Sequence, residues 1–316
     1  MHLDAASALL STLDMAAVPS ATENAHDCPP NGHATGVNIP VHLLSDGERS
    51  AFEFFLGFYA YTLVNATATF GLTPQTASMI HRIPFMFSPH RNKFKLLRGC
   101  EDWIMLTILD IVTLRDWKEK ALQAGRLSIR ELNSRAAVIE EKLQEGAARS
   151  SLPEASPMAE DGNNRRRSTT PSTPPTPSLP SEIFEEEVRM MTSTFIHGAL
   201  VFLNVVVSGF YPNILEIRTS VLKTLTALEY MRAHSVVNIP SWPYLVAGCL
   251  AQETEYPRFR ALVTPFVPGK VPLVMTMWSL EVLEECWKVR ASQPEEQETC
   301  SWVTAMRNGG TRYLLL

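Results

Sequence analysis

Wound at 3.6 residues per turn, the stretch from Trp103 to Leu114 carries apolar side chains on almost every face, so no side of it can be left in water. Charge returns only at Arg115, Asp116, Lys118 and Glu119. A helix of this kind belongs at the centre of a multi-helix body. The run from Phe195 to Val207 makes the same demand from the other half of the chain. Each can bury its remaining face against the other, and burial worth roughly 25 cal/mol per Å2 favours that pairing.

Between the two runs the composition changes abruptly. Ser150 to Ser181 holds seven prolines and eleven serines or threonines and no aromatic residue, which predicts a disordered insertion. Such a segment does not force two domains, because loop-closure entropy rises by only about 0.6 kcal/mol per doubling of length. The first 44 residues likewise lack Phe, Trp and Tyr and contain Pro19, Pro29, Pro30 and Pro40, so they read as disordered apart from a weak helical pattern over 3–17. The expected organisation is a disordered segment over 1–44, a first helical part over 45–146, a linker over 147–181 and a second part of the same domain over 182–316.

Helix starts are legible in several places. Ser45 with Glu48, and Ser128 with Glu131, have capping-box spacing, and Thr73–Pro74 places proline at a first helical position. The spacing predicts helices from Ser45, from Thr73 and over 99–123. Another follows Ser128, with Ile129, Leu132, Ala136, Ile139 and Leu143 on one face and an end at Gly146. Further helices are predicted over 183–209, from Asn213, over 242–255, 273–290 and 298–308. Few segments alternate with period two, so the fold class is all-α, an irregular multi-helix bundle.

Several functions find no support in this pattern. The formal net charge of -5 and scattered Lys and Arg give no electrostatic footprint for nucleic acid. Five cysteines, Cys28, Cys100, Cys249, Cys286 and Cys300, are widely spaced, as expected of a reducing compartment. His26, Cys28 and His33 could ligate a metal but lack a second pair at ligand spacing, so no metal and no cofactor is expected. His81, His90, His197 and His234 are isolated and read as solvated or satisfied. No GxSxG, GxGxxG, P-loop or HExxH occurs, and Glu101–Asp102 reads as an acidic step at a helix start rather than catalytic machinery. The apolar stretch over 190–210 is interrupted by Thr192, Ser193, Thr194, His197, Asn204 and Ser208, which favours a buried helix over a membrane span. Trp242, Trp278, Trp287 and Trp302 read as core, with an effector pocket as the alternative.

In the linker, Arg165 to Arg167 precede Ser168 as in a basophilic kinase site, and Thr170, Thr173 and Thr176 each precede proline. These four are candidate phosphorylation sites, since an accessible segment that gains charge has a clear physical response.

The run Gly99, Cys100, Glu101, Asp102, Trp103, continuing through Asp110 to Leu114, Arg115, Asp116 and Trp117, resembles the fungal-specific transcription factor domain. So do Val205 to Arg218 with Gly209, Tyr211 and Pro212, and Ser241 to Ala251 with Trp242, Pro243, Ala247 and Gly248. Leu280 to Trp287 and then Trp302 continue the resemblance, which covers roughly residues 45 to 316 outside the linker. It implies a nuclear regulator whose helical region tunes RNA polymerase II transcription through intramolecular or partner contacts. The expected partners are the transcription machinery or co-regulators and a small-molecule effector. The zinc cluster of six close cysteines that reads DNA in that family is not present in this sequence, so zinc would have to be carried by an upstream segment. The residues themselves leave two other readings open, an interaction scaffold without a transcriptional role and a helical enzyme.

Overall fold

The computed structural model describes residues 45–81, 99–150, 180–234, 239–263, 274–292 and 301–308, together with Ile83 and Lys95. Among these the protein is all-α, with no strand. The helices are α1 (Asp46–Phe70), α2 (Pro74–Ile80), α3 (Asp102–Gln123), α4 (Ile129–Ser150), α5 (Pro180–Ser208), α6 (Leu215–His234), α7 (Ser241–Gly248), α8 (Tyr256–Val263), α9 (Val274–Ser292) and α10 (Trp302–Asn308). The expected disorder over 1–44 and within the linker, the weak helix over 3–17, and the His26, Cys28 and His33 group lie outside the described residues.

By its internal contacts the chain divides into two compact units, with the division between Tyr59 and Ala60. In the first, Met1–Tyr59, the described part begins with a reciprocal capping box. The Ser45 backbone N–H donates to Glu48 Oε2 at 2.9 Å and the Glu48 N–H donates to Ser45 Oγ at 3.4 Å. Phe54 and Phe55 meet edge to face there, with 5.8 Å between ring centroids.

The second unit, Ala60–Leu316, is organised around α5, which packs against α3, α4, α6 and α7. Among the described residues, Phe184–Ser208 is the one helical stretch long and apolar enough to cross a membrane, and 72% of its apolar window is buried inside the protein. Phe195, Ile196, Ala199, Val201, Phe202 and Leu203 are all at most 1% exposed. Its polar groups are provided for internally: Thr194 Oγ1 donates to the Met190 carbonyl at 2.9 Å and the Thr192 hydroxyl accepts the Glu101 N–H at 3.0 Å. The helix is the core of the bundle.

Packing altered several helix bounds. The helix expected to stop at Gly146 runs on to Ser150. Gly146 is there for close approach: a Cβ at this position would come within 2.0 Å of the Trp103 ring. At the start of α4, Ser128 Oγ accepts the Glu131 N–H at 3.2 Å, but the Glu131 carboxylate turns to Arg135 at 2.7 Å, so only half of the capping box forms. Leu132, Ala136, Ile139 and Leu143 are buried as their spacing requires, whereas Ile129 is 60% exposed. Asn213 does not start α6, which begins at Leu215; its Oδ1 accepts from Gln252 Nε2 at 3.0 Å instead. The single helix expected over 242–255 is broken after Gly248 and resumes as a short 3-10 turn, Glu253–Glu255, leading into α8. The buried Glu255 carboxylate, ion-paired with Arg218, holds that break in place.

Candidate functional site

The last carbonyls of a helix run short of backbone donors, and here side chains from other helices donate to carbonyls in and just after several last turns. Arg115, in the fourth turn of α3, donates through Nη2 to the Thr67 carbonyl at 2.6 Å and through Nη1 to the Ala68 carbonyl at 3.1 Å, at the end of α1. Lys118, one turn on, donates to the Val206 and Val207 carbonyls of α5 at 2.7 and 3.3 Å. Burial pulls both cations below their ordinary pKa, and nearby acidic side chains, Glu119 for both and Asp116 for Arg115, act the other way. Trp302 Nε1 donates to the Thr69 carbonyl at 2.9 Å, and Trp287 Nε1 to the Gly248 carbonyl at 2.8 Å. Arg290 donates to the Ala251 carbonyl at 2.8 Å and to the Cys249 carbonyl. Arg232 donates to the Leu262 carbonyl at the end of α8.

Two of these donors, Arg115 and Trp302, also meet Phe202 of α5. The Arg115 guanidinium lies 5.4 Å from its ring centroid, Trp242 of α7 meets it edge-on at 5.9 Å and Trp302 of α10 lies at 6.2 Å. Trp242 also stacks on Phe195 at 6.1 Å, and Trp302 meets Phe210 at 4.9 Å. Trp242, Trp302 and Trp287 are 1, 2 and 4% exposed and fill core. The Trp242 Nε1 is buried without a hydrogen-bond partner, as is His197 Nδ1 on α5. Burial, with Lys223 as a smaller cause, pushes the His197 imidazole down to about 4, so it is neutral at physiological pH.

The structure also places the remaining signature residues. Gly99 and Gly209 adopt φ +67° and +91°, and Gly209 ends α5 where a side chain would press on Tyr211. Cys100, Pro212 and Ala247 are buried. Pro243 rests on Gly198 of α5, and Gly248 faces Leu283, close enough that a Cβ would come within 2.4 Å. Glu101 occupies the N-cap position of α3 without a side-chain capping bond; its carboxylate lies 3.5 Å from Lys95, and Asp102 sits in the first turn. On the outer face of α3, Trp103 lies under Arg149 at 5.5 Å, Trp117 under Arg135 at 4.4 Å, and Asp110 pairs with Lys142 at 3.0 Å.

Sequence reading missed Lys118, Arg232 and Arg290 as helix-end donors. The available signal was their setting: Arg115 with Lys118, and Trp287 with Arg290, stand three residues apart on helices that otherwise bury, so each pair shares a face. Among the described residues no three His, Cys, Asp or Glu side chains gather as a metal site. Ser168, Thr170, Thr173 and Thr176 lie outside the described residues. Together the helix-end hydrogen bonds tie the ends of α1, α5 and α7 to side chains of other helices.

The family described as the fungal specific transcription factor domain matches residues 1–316. Among curated proteins, the transcription factor ntnD of a Nectria species is 28% identical over 80% of this chain and 39% of its own length. The trichothecene biosynthesis transcription regulator of Trichoderma arundinaceum is 31% identical over 70% of this chain and 44% of its own. The ustiloxin B cluster transcription factor of Aspergillus flavus is 30% identical over 65% and 32%. The chain thus spans about two fifths of the length of the curated relatives it matches. No solved structure matches it significantly.

Proposed function

Because the chain belongs to the fungal-specific transcription factor domain family, we propose that it is a nuclear, non-enzymatic regulatory domain that modulates RNA polymerase II transcription through intramolecular or partner contacts. The observation that carries this reading is the whole-chain match, together with relatives named as transcription factors or regulators of biosynthetic gene clusters. The packing of Arg115, Trp242 and Trp302 around Phe202 supports a well-packed body that transmits or receives contacts rather than one that turns over a substrate. Specific DNA reading falls to another segment or partner, since this acidic chain holds no six-cysteine cluster; it needs no cofactor for its own part. Co-regulators or the transcription machinery are the partners, and any effector would be a small molecule bound by this body.

The test is to fuse the chain to a heterologous DNA-binding domain in a fungal host and compare reporter transcription with that of the DNA-binding domain alone. A several-fold change in either direction is expected, with the fusion in the nucleus. Unchanged transcription from a folded, nuclear fusion overturns the proposal and leaves an interaction scaffold.

A further inference from the structure

We propose that Cys249 and Cys286 are an oxidant-sensitive thiol pair that hydrogen peroxide closes into a disulfide. Both are reduced and wholly buried, and their sulfurs stand 3.2 Å apart, on the turn that ends α7 and on α9. Joining them asks for roughly 1 Å of further approach to the ~2.05 Å bond. The pairing is held from both sides. Leu283 packs on Gly248, the Trp287 indole N–H binds the Gly248 carbonyl at 2.8 Å, and the Arg290 guanidinium grips the Cys249 and Ala251 carbonyls. The backbones are therefore already docked on either side of the two sulfurs, and little entropy is left to lose when they join. This inference rests on that geometry and not on the transcriptional reading.

Complete burial selects the oxidant by size. Hydrogen peroxide enters with small local openings, whereas a bulky disulfide such as oxidised glutathione needs the helices apart. In the first step one sulfur takes an oxygen as the peroxide O–O bond breaks, giving a sulfenic acid and one water. In the second the other sulfur attacks the sulfenic sulfur, the S–O bond breaks and the oxygen leaves as a second water. Two thiols and one hydrogen peroxide become one disulfide and two waters; the sulfurs give up two electrons in total and the peroxide accepts them. The adjacent second thiol traps the sulfenic acid before it can advance to sulfinic acid. The closed ring then runs from the turn after α7 through α8 to Cys286 in the fourth turn of α9, and ties the end of α7 to α9.

The experiment uses the full chain, reduced, exposed to hydrogen peroxide, blocked with N-ethylmaleimide and digested for mass spectrometry. The expected result is a peptide joining Cys249 to Cys286, several-fold more abundant than any pairing with Cys28, Cys100 or Cys300, reversed by dithiothreitol and accompanied by a melting temperature higher by roughly 5 °C. Cys249→Ser loses both the joined peptide and the thermal shift. A triple variant, Cys28→Ser, Cys100→Ser and Cys300→Ser, keeps both and stands as the positive control should Cys249→Ser fold poorly. If peroxide leaves the two thiols separately blocked, drives them singly to sulfinic acid, or spreads pairing evenly over all five cysteines, the proposal is wrong and the contact is only core packing.

Discussion

On one face of α3, Arg115 and Lys118 carry their charges onto the carbonyl ends of α1 and α5; on the other, Asp110 meets Lys142, and Arg135 lies over Trp117 in contact with solvent. The formal interactions are of similar length, but their surroundings differ. A cation against helix-end carbonyls in a partly dry site satisfies acceptors that are shielded from much of the water, so its removal leaves the Ala68 carbonyl short of its donor while the Thr67 carbonyl keeps the Gly71 N–H. The Asp110–Lys142 pair, with side chains 47 and 54% exposed, trades hydration for a contact of nearly equal worth. Charge inside this bundle is structural because of what it touches, and charge outside it serves mainly solubility.

The largest effect expected from that difference is at Arg115. Arg115→Met keeps most of the side-chain stem but removes both carbonyl bonds, and should cost about 2 to 3 kcal/mol in denaturant unfolding with an unchanged m value. A cost below about 0.5 kcal/mol would place Arg115 with the surface pairs and erase the contrast between the two faces.

His197 asks whether the interior accepts a charge that lacks such carbonyls. Its pKa in the fold is about 4, below the unfolded value near 6.5, so the unfolded chain binds the proton first as pH falls. The stabilisation is present above pH 6.5 and is lost on descending towards pH 4, at about 1.4 kcal/mol per unit within that window. Between pH 6.5 and 5 the full chain should lose about 2 kcal/mol more than His197→Gln does, measured as the difference between their stability-versus-pH curves. Parallel curves would show that the imidazole charges in place at no cost.

The smallest effect is expected at the outer face. Asp110→Asn should change stability by less than about 0.5 kcal/mol at physiological salt. A larger loss that vanished at high salt would mean that the pair belongs to a wider charge network along α3 and α4.

Much of the fold was legible because its signals are local. The all-round apolarity of Trp103–Leu114 and Phe195–Val207, the Ser45 and Thr73 caps and the apolar stripe of α4 each depend on residues within a few turns of one another. The signature residues were legible as a pattern, but not in their roles. Arg115 reads as the return of charge after an apolar run, and only the end of α1, 47 residues earlier, makes it a helix-end donor.

By itself, then, the sequence determined that the chain is helical, that two of its helices had to be interior and that the described part from Ser45 onward opens on a capped helix, since periodicity and capping are decided by near neighbours along the chain. Tertiary structure decided which carbonyls Arg115, Lys118, Trp287, Trp302 and Arg290 would satisfy, that Gly146 would pass under Trp103 instead of ending a helix, and that Cys249 and Cys286, 37 residues apart, would stand sulfur to sulfur. Those outcomes depend on which helix ends meet in space, and side-chain spacing along one helix carries no record of the distant helix that will lie against it.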